Sequence, residues 1–196
     1  MTGDEQRTRQ RFVALYEANY EHVARYARRR TATVEDAMDV VAETFLVAWR
    51  RCEELPTGEQ TKLWLFGTAR RVLANQRRSQ HRRERLAQRL RTEPRAQSAE
   101  PGEGQIELEL AKSALWRLSP EQRDLLGLVA WEGLSIVELA QTLGCSKNAA
   151  KIRLHRARRR FTAELHRSES EAKLRGSAGH GSHQKTHSLP SPGETS

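Results

Sequence analysis

Apolar residues along the first half of the chain recur at helical spacing. From Glu5 to Arg30 they fall at Phe12, Leu15, Tyr16, Val23, Tyr26 and Ala27, one stripe of a long helix with an expected interruption near Asn19. Thr33 is a natural N-cap, and Glu35 and Asp36 follow in the first turn, where negative charge meets the positive end of the helix dipole. The helix it opens carries Ala37, Val40, Val41, Phe45, Leu46, Ala48 and Trp49 and ends near Glu53. Pro56 and Gly58 mark a loop. A third helical pattern starts at about Lys62, passes through Trp64, Leu65, Ala69, Val72 and Leu73, and runs into the basic string RRSQHRRERLAQRLR.

Between Thr92 and Gln105 the text becomes TEPRAQSAEPGEGQ. So little apolar surface cannot offset the entropy of ordering it, so this segment reads as a flexible linker. Periodicity returns over Ile106 to Leu118. Ser119, Pro120 and Gln122 then supply a cap, a proline at the first helical position and a capping-box partner for a helix through Leu125, Leu126 and Val129 to Trp131. Gly133 stops it. Ser135 with Glu138 makes a second capping box before a short helix through Val137, Leu139, Ala140 and Leu143, and Gly144-Cys145 turns the chain. Ser146 caps the last, basic helix, KNAAKIRLHRARRRFTAEL. From His166 the text is Ser, Gly, His, Lys and Pro, a composition expected to stay disordered. The fold expected is all-α: two small helical domains joined by a flexible linker, the second a helix-turn-helix. The divisions fall at residues 1–91, 92–105, 106–166 and 167–196.

Composition narrows the partners. Hydrophobic residues are 37% and charged residues 30%, which suits small helical units better than one large core. Lys and Arg number 34 against 25 Asp and Glu, a net +9 that favours polyanions without choosing among them. No apolar run approaches the roughly 18 residues of a membrane span, and the polar start MTGDEQRTRQRF is unlike a signal peptide. Cys52 and Cys145 are expected as ordinary packing residues, so the chain reads as cytoplasmic, with no metal, cofactor or membrane insertion.

The last helix carries the most specific chemistry. At about 100° per residue, Ala150, Leu154, Ala157 and Phe161 share one side. The other collects Asn148, Ile152, His155, Arg156 and Arg159, with Lys151 at its margin. Amide, imidazole and guanidinium groups suit base edges and phosphates in the major groove. Arg156 can address a guanine bidentately and Asn148 an adenine, while Ser146 and Lys147 at the helix start suit a phosphate. Ile152 is the odd member, an apolar group that fits a thymine methyl or signals a shifted rotation. The competing reading is a solvated basic face on an ordinary bundle. The capped short helix and Gly turn before it favour DNA.

The stretch LSPEQRDLLGLVAWEGLSIVELAQTLGCSKNAAKIRLHRARRRF resembles the C-terminal DNA-binding region of the extracytoplasmic-function (ECF) sigma factors of the sigma-70 family. FVALYEANYEHVARYARRR, EDAMDVVAETFLVAWRR and KLWLFGTARRVLANQRRSQHRR resemble, in order, that family's N-terminal region. The resemblance implies a sigma factor that binds core RNA polymerase and directs promoter-specific transcription initiation. Asp36, Asp39 and Glu43 would then dock on a polymerase coiled coil, with Ala42 where the family often has Gln, and with Phe45 and Trp49 expected in the core. Arg70, Arg71, Asn75, Arg77 and Arg78 would contact the downstream promoter element. Arg71 and Asn75 replace the family's common Asn and Asp, making this surface more positive. The loop Glu53 to Thr61 would receive a flipped base, and Trp64 reads as a core residue before a stacking wedge. The final helix would read the upstream element.

The partners implied are core RNA polymerase, double-stranded promoter DNA and the non-template single strand, with the chain nucleoid-associated when bound. An anti-sigma factor is a frequent further partner in the family. Such a protein is not an enzyme, and no Gly-rich phosphate loop is present. Two rivals remain: a conventional dimeric regulator, and a protein whose basic helices meet acidic protein or membrane. His180, His183 and His187 in the tail read as inert before they read as metal ligands.

Overall fold

The computed structural model describes residues 3–87 and 103–179, and among these every regular element is helical. In chain order they are α1 (Gly3–Arg28), α2 (Val34–Arg50), a 3-10 turn (Cys52–Glu54), α3 (Glu59–Ala87), α4 (Glu103–Trp116), α5 (Pro120–Ala130), α6 (Ile136–Leu143) and α7 (Lys147–Gly179). The chain clusters into two compact units. Of the described residues, the first holds 3–87 and 120–157, the second 103–119 and 158–179.

In the first unit, α1, α2 and α3 pack on one another and α6 packs on α3. Tyr26, Phe66, Leu65, Leu128, Leu139, Val23 and Val40 are fully buried. Each large apolar side chain so placed contributes about 1.5–3 kcal/mol. The α3–α6 crossing is close: a Cβ on Gly67 would stand 2.8 Å from the Thr142 carbonyl oxygen. Glycine there permits backbone-to-backbone contact that any side chain would wedge apart.

Local signals resolve as their chemistry dictates. The Thr33 hydroxyl accepts from the Asp36 amide. Ser135 and Glu138 form a complete reciprocal capping box, and Gly144 ends α6 in the left-handed region at φ 62°. Ser146 accepts from the Ala149 amide at 3.2 Å, opening α7. α1, by contrast, has no interruption at Asn19. That side chain is buried and its amide donates to the Leu15 carbonyl one turn back at 2.9 Å, which satisfies it without breaking the helix.

In the second unit, Arg117, just after α4, holds Glu171 of α7 at 2.6 Å and lies 4.0 Å from Glu164, which also pairs with Arg160 at 2.7 Å. α7 thus continues well past the end its apolar pattern gives, through residues expected to lack structure. Pairs one turn apart, Arg160 with Glu164 and Arg167 with Glu171, support the extension where apolar periodicity has faded. α4 likewise starts at Glu103, inside the segment read as linker. Residues 88–102 and the three tail histidines lie outside the described residues.

Candidate nucleic-acid and polymerase interface

α7 begins as a two-sided helix. Ala150, Leu154 and Ala157 are buried, which sets the rotation, and Phe161 is partly covered. Ser146, Lys147, Asn148, Lys151, Ile152, His155, Arg156 and Arg159 are all exposed. Ile152 is 43% exposed, so the rotation is not shifted and an apolar group does stand among the polar ones. Ser146 is committed to its cap, and the polar side chains from Lys147 to Arg159 on this face have no ion pair or hydrogen bond among the described residues. α6 and Gly144 bring this face into the arrangement of a helix-turn-helix.

α3 presents a second basic surface in different circumstances. Arg71, Asn75 and Arg78 are exposed, and the Arg78 guanidinium donates to the Asn75 side chain at 2.6 Å. Arg77 reaches the Arg30 carbonyl at 3.4 Å. Arg70 is turned inward, with Nε 2.8 Å from Asp124 Oδ2. A cavity of about 720 Å³ lies here, with α3 arginines on one wall and Pro120, Glu121 and Asp124 on the other. Burial first, and then the neighbouring Arg77 charge, lower the pKa of the Arg123 guanidinium from its ordinary value.

Asp124 is the centre of a buried polar cluster that sequence reasoning missed. Its Oδ1 accepts from the Tyr26 hydroxyl at 2.8 Å and from Arg30 Nε at 2.7 Å, while Oδ2 takes Arg70. Arg30 also donates to Glu132 at 3.2 Å and to the Tyr26 carbonyl, and its guanidinium lies 3.6 Å from the centre of the Tyr26 ring. Burial, then the Asp124 charge, raises the Tyr26 hydroxyl well above its ordinary value, so it stays a donor. A single Asp in a helix carries no local sign of partners 54 to 98 positions away.

On α2, Asp39 and Glu43 are exposed and Asp36 is half-buried. α2 also leaves Met38, Leu46 and Trp49 53%, 46% and 43% exposed, flanking the acidic row on its solvent side. Phe45 is buried as expected, but Trp49 is not a core residue. It leans edge-on against Phe12, 5.0 Å between ring centres, and leaves its outer surface to solvent.

Near the 3-10 turn, the loop expected to receive a base borders a cavity of about 500 Å³, lined by Arg11, Asn19, His22, Gly58, Thr61 and Lys62 among others. Gly58 at φ 64° and the Thr61 hydroxyl bond to the Pro56 carbonyl (2.6 Å) fix the loop. Trp64 packs against the hydrophobic core. No helix among the described residues is long and apolar enough to cross a membrane, and they contain no cluster of metal-ligating side chains.

Among the described residues the regular elements are all helical, and they carry a helix-turn-helix, two basic surfaces and a row of carboxylates on α2. The model of the ECF sigma factor family matches residues 1–167, and the chain belongs to that family. It is 34% identical over 155 residues to the ECF RNA polymerase sigma factor SigL of Mycobacterium tuberculosis, covering 78% of this chain and 87% of that protein. It is 30% identical over 164 residues to the RNA polymerase sigma factor NccH of Alcaligenes xylosoxydans xylosoxydans, covering 81% and 88%. Among solved structures it is similar to the sigma factor RpoE bound to the anti-sigma factor NepR from Bartonella quintana. That match has a TM-score of 0.55 and 26% identity over 84% of this chain and 98% of that one. CnrH in complex with the cytosolic domain of CnrY matches with a TM-score of 0.52 and 26% identity, over 79% and 86%. The chain is a sigma factor: it binds core RNA polymerase and directs initiation at promoters.

Proposed function

We propose a division of labour among the three surfaces. Asp36, Asp39 and Glu43, with Met38, Leu46 and Trp49 beside them, dock on core polymerase. Arg70, Arg71, Asn75, Arg77 and Arg78 contact the downstream promoter element. Ser146, Lys147, Asn148, Lys151, Ile152, His155, Arg156 and Arg159 read the upstream element. The observation that carries this reading is the bare, unpaired polar face at the start of α7, held at a fixed rotation by three buried residues. Residues 1–91 and 106–166 act as the two functional domains.

Binding, not catalysis, is the chain's work. Polymerase holds both DNA-reading surfaces, so each contact raises the effective concentration of the other. The protein acts in the cytoplasm, on the nucleoid when bound to polymerase. An anti-sigma protein is a further partner, a reading supported by RpoE having been solved with the anti-sigma factor NepR. The test is capture of core polymerase by the purified protein, followed by run-off transcription on fragmented genomic DNA. Discrete new start sites are expected. Tight binding to one DNA site by the protein alone, with no capture of core, would favour a conventional regulator instead.

A further inference from the structure

The cavity beside the 3-10 turn has two walls. Arg11, Leu15, Asn19 and His22 recur at helical spacing along α1 and line one side, and the chain from Pro56 to Lys62 lines the other. Arg11 ties the two together. Its Nη2 donates to the Leu55 carbonyl at 2.7 Å and its Nη1 to the Glu53 carbonyl at 3.4 Å. Those oxygens stand in and just after the one-turn helix Cys52–Glu54, whose end leaves carbonyls without a partner inside the helix. A planar guanidinium meets two such oxygens at once, and its charge suits the negative end of the turn. Two smaller ties run beside it. The Thr8 hydroxyl donates to Glu53 Oε1 at 3.1 Å, and the Cys52 thiol donates to the Thr8 carbonyl at 3.7 Å. At its far end the loop is pinned by the Thr61 hydroxyl, 2.6 Å from the Pro56 carbonyl. Thr57, Gly58 and Glu59, between the two anchors, are exposed.

We propose that Arg11 is a positioning residue for base capture: it holds the loop in its receiving shape before DNA arrives, through the Glu53 and Leu55 carbonyls. This rests on the reading of the loop Glu53 to Thr61 as the acceptor of a flipped base. Taking a base out of the stack is unfavourable in itself. A loop that had also to be ordered at the moment of capture would add to that cost, and one already anchored at both ends adds little. Arg11 supplies the α1 anchor and Thr61 the α3 anchor. Reading of the base falls to other groups around the cavity, so Arg11 acts on the base through the loop and not by touching it.

The experiment uses holoenzyme assembled from the full chain, on forked DNA from a promoter mapped by run-off transcription. Each non-template base of the downstream element is replaced in turn by an abasic site, and binding is followed across a salt series. Wild type is expected to lose about tenfold at one position or more, the worth of one held base. Arg11→Gln is expected to bind the intact strand about tenfold more weakly, the loss of a charge-assisted bond pair. It is also expected to be indifferent to abasic replacement at one of those positions, with its salt slope unchanged. Arg11→Lys keeps the charge but cannot span both carbonyls, and is expected to lose about threefold on the intact strand. Thr61→Val removes the other anchor and is expected to show the same base-dependent loss, which decides the matter if Arg11→Gln does not fold. Unchanged binding by Arg11→Gln overturns the proposal. So do equal losses on intact and abasic strands: a salt slope shallower by about 0.7 then marks a direct phosphate contact, and an unchanged slope a merely structural role. Indifference of wild type to abasic sites at every position would instead remove the reading of the loop itself.

Discussion

The two basic surfaces of this sigma factor are built from the same residue types and differ in how many of their side chains are engaged, Arg71 alone of the α3 arginines being exposed without a partner among the described residues. At the start of α7, Lys147, Asn148, Lys151, His155 and Arg156 are exposed and unpaired among the described residues. On α3, Arg70 is held by Asp124, Arg77 leans on the Arg30 carbonyl and Arg78 on Asn75. The lesson is that arginine content does not make a surface available. Availability is decided by whether the fold brings a carboxylate to it, and here α5 brings one to α3 and none to the start of α7.

The largest effect expected is on the support beneath the bare face. Leu139 is fully buried in α6, the helix before the turn into α7, and Leu139→Ala should cost about 2–5 kcal/mol in urea unfolding. A loss below about 1 kcal/mol would mean that α6 does not anchor the helix-turn-helix. Next, Arg156→Ala should weaken upstream-element recognition by about 1–3 kcal/mol in holoenzyme binding assays while core capture is unchanged. The same substitution has little to destabilise, since Arg156 has no partner to lose.

Smaller effects probe the turn that sets the angle of α7. Gly144 has φ 62°, and Gly144→Ala should cost about 1 kcal/mol of stability through left-handed strain. The smallest expected effect depends on pH. The Glu138 carboxyl is held below its ordinary value by hydrogen bonds from the Ser135 side chain and backbone. A depressed carboxylate stabilises the fold above its unfolded-state value, and that contribution disappears as pH falls through the folded value. Ser135→Ala should therefore cost about 1 kcal/mol near neutrality and less in acid, measured by urea unfolding at both pH values. An equal cost at both would show that the capping box is not what Glu138 contributes.

Much of this was legible from residues that act on near neighbours. Thr33, Ser135 with Glu138, Gly144 and Ser146 each name a cap or turn whose partner lies within a few positions, and each forms. The rotation of α7 was legible because Ala150, Leu154 and Ala157 repeat at helical spacing. What the sequence hid depends on distant pieces. Trp49 has the spacing of a core residue, but Phe12 and Phe45 already fill the space beneath it, so its ring stays outside. Asp124 looks like any acidic residue on a helix until Tyr26, Arg30 and Arg70 converge on it. The length of α7 follows from ion pairs rather than apolar periodicity, a weaker signal that composition alone obscures.

The most direct test of the central claim is core polymerase capture and run-off transcription with two variants side by side, Arg156→Ala and the double variant Asp39→Ala with Glu43→Ala. The account predicts that Arg156→Ala binds core like wild type and starts transcription poorly, while the double variant loses core binding with its helical content intact. Loss of core binding by Arg156→Ala, with full binding by the double variant, would contradict it.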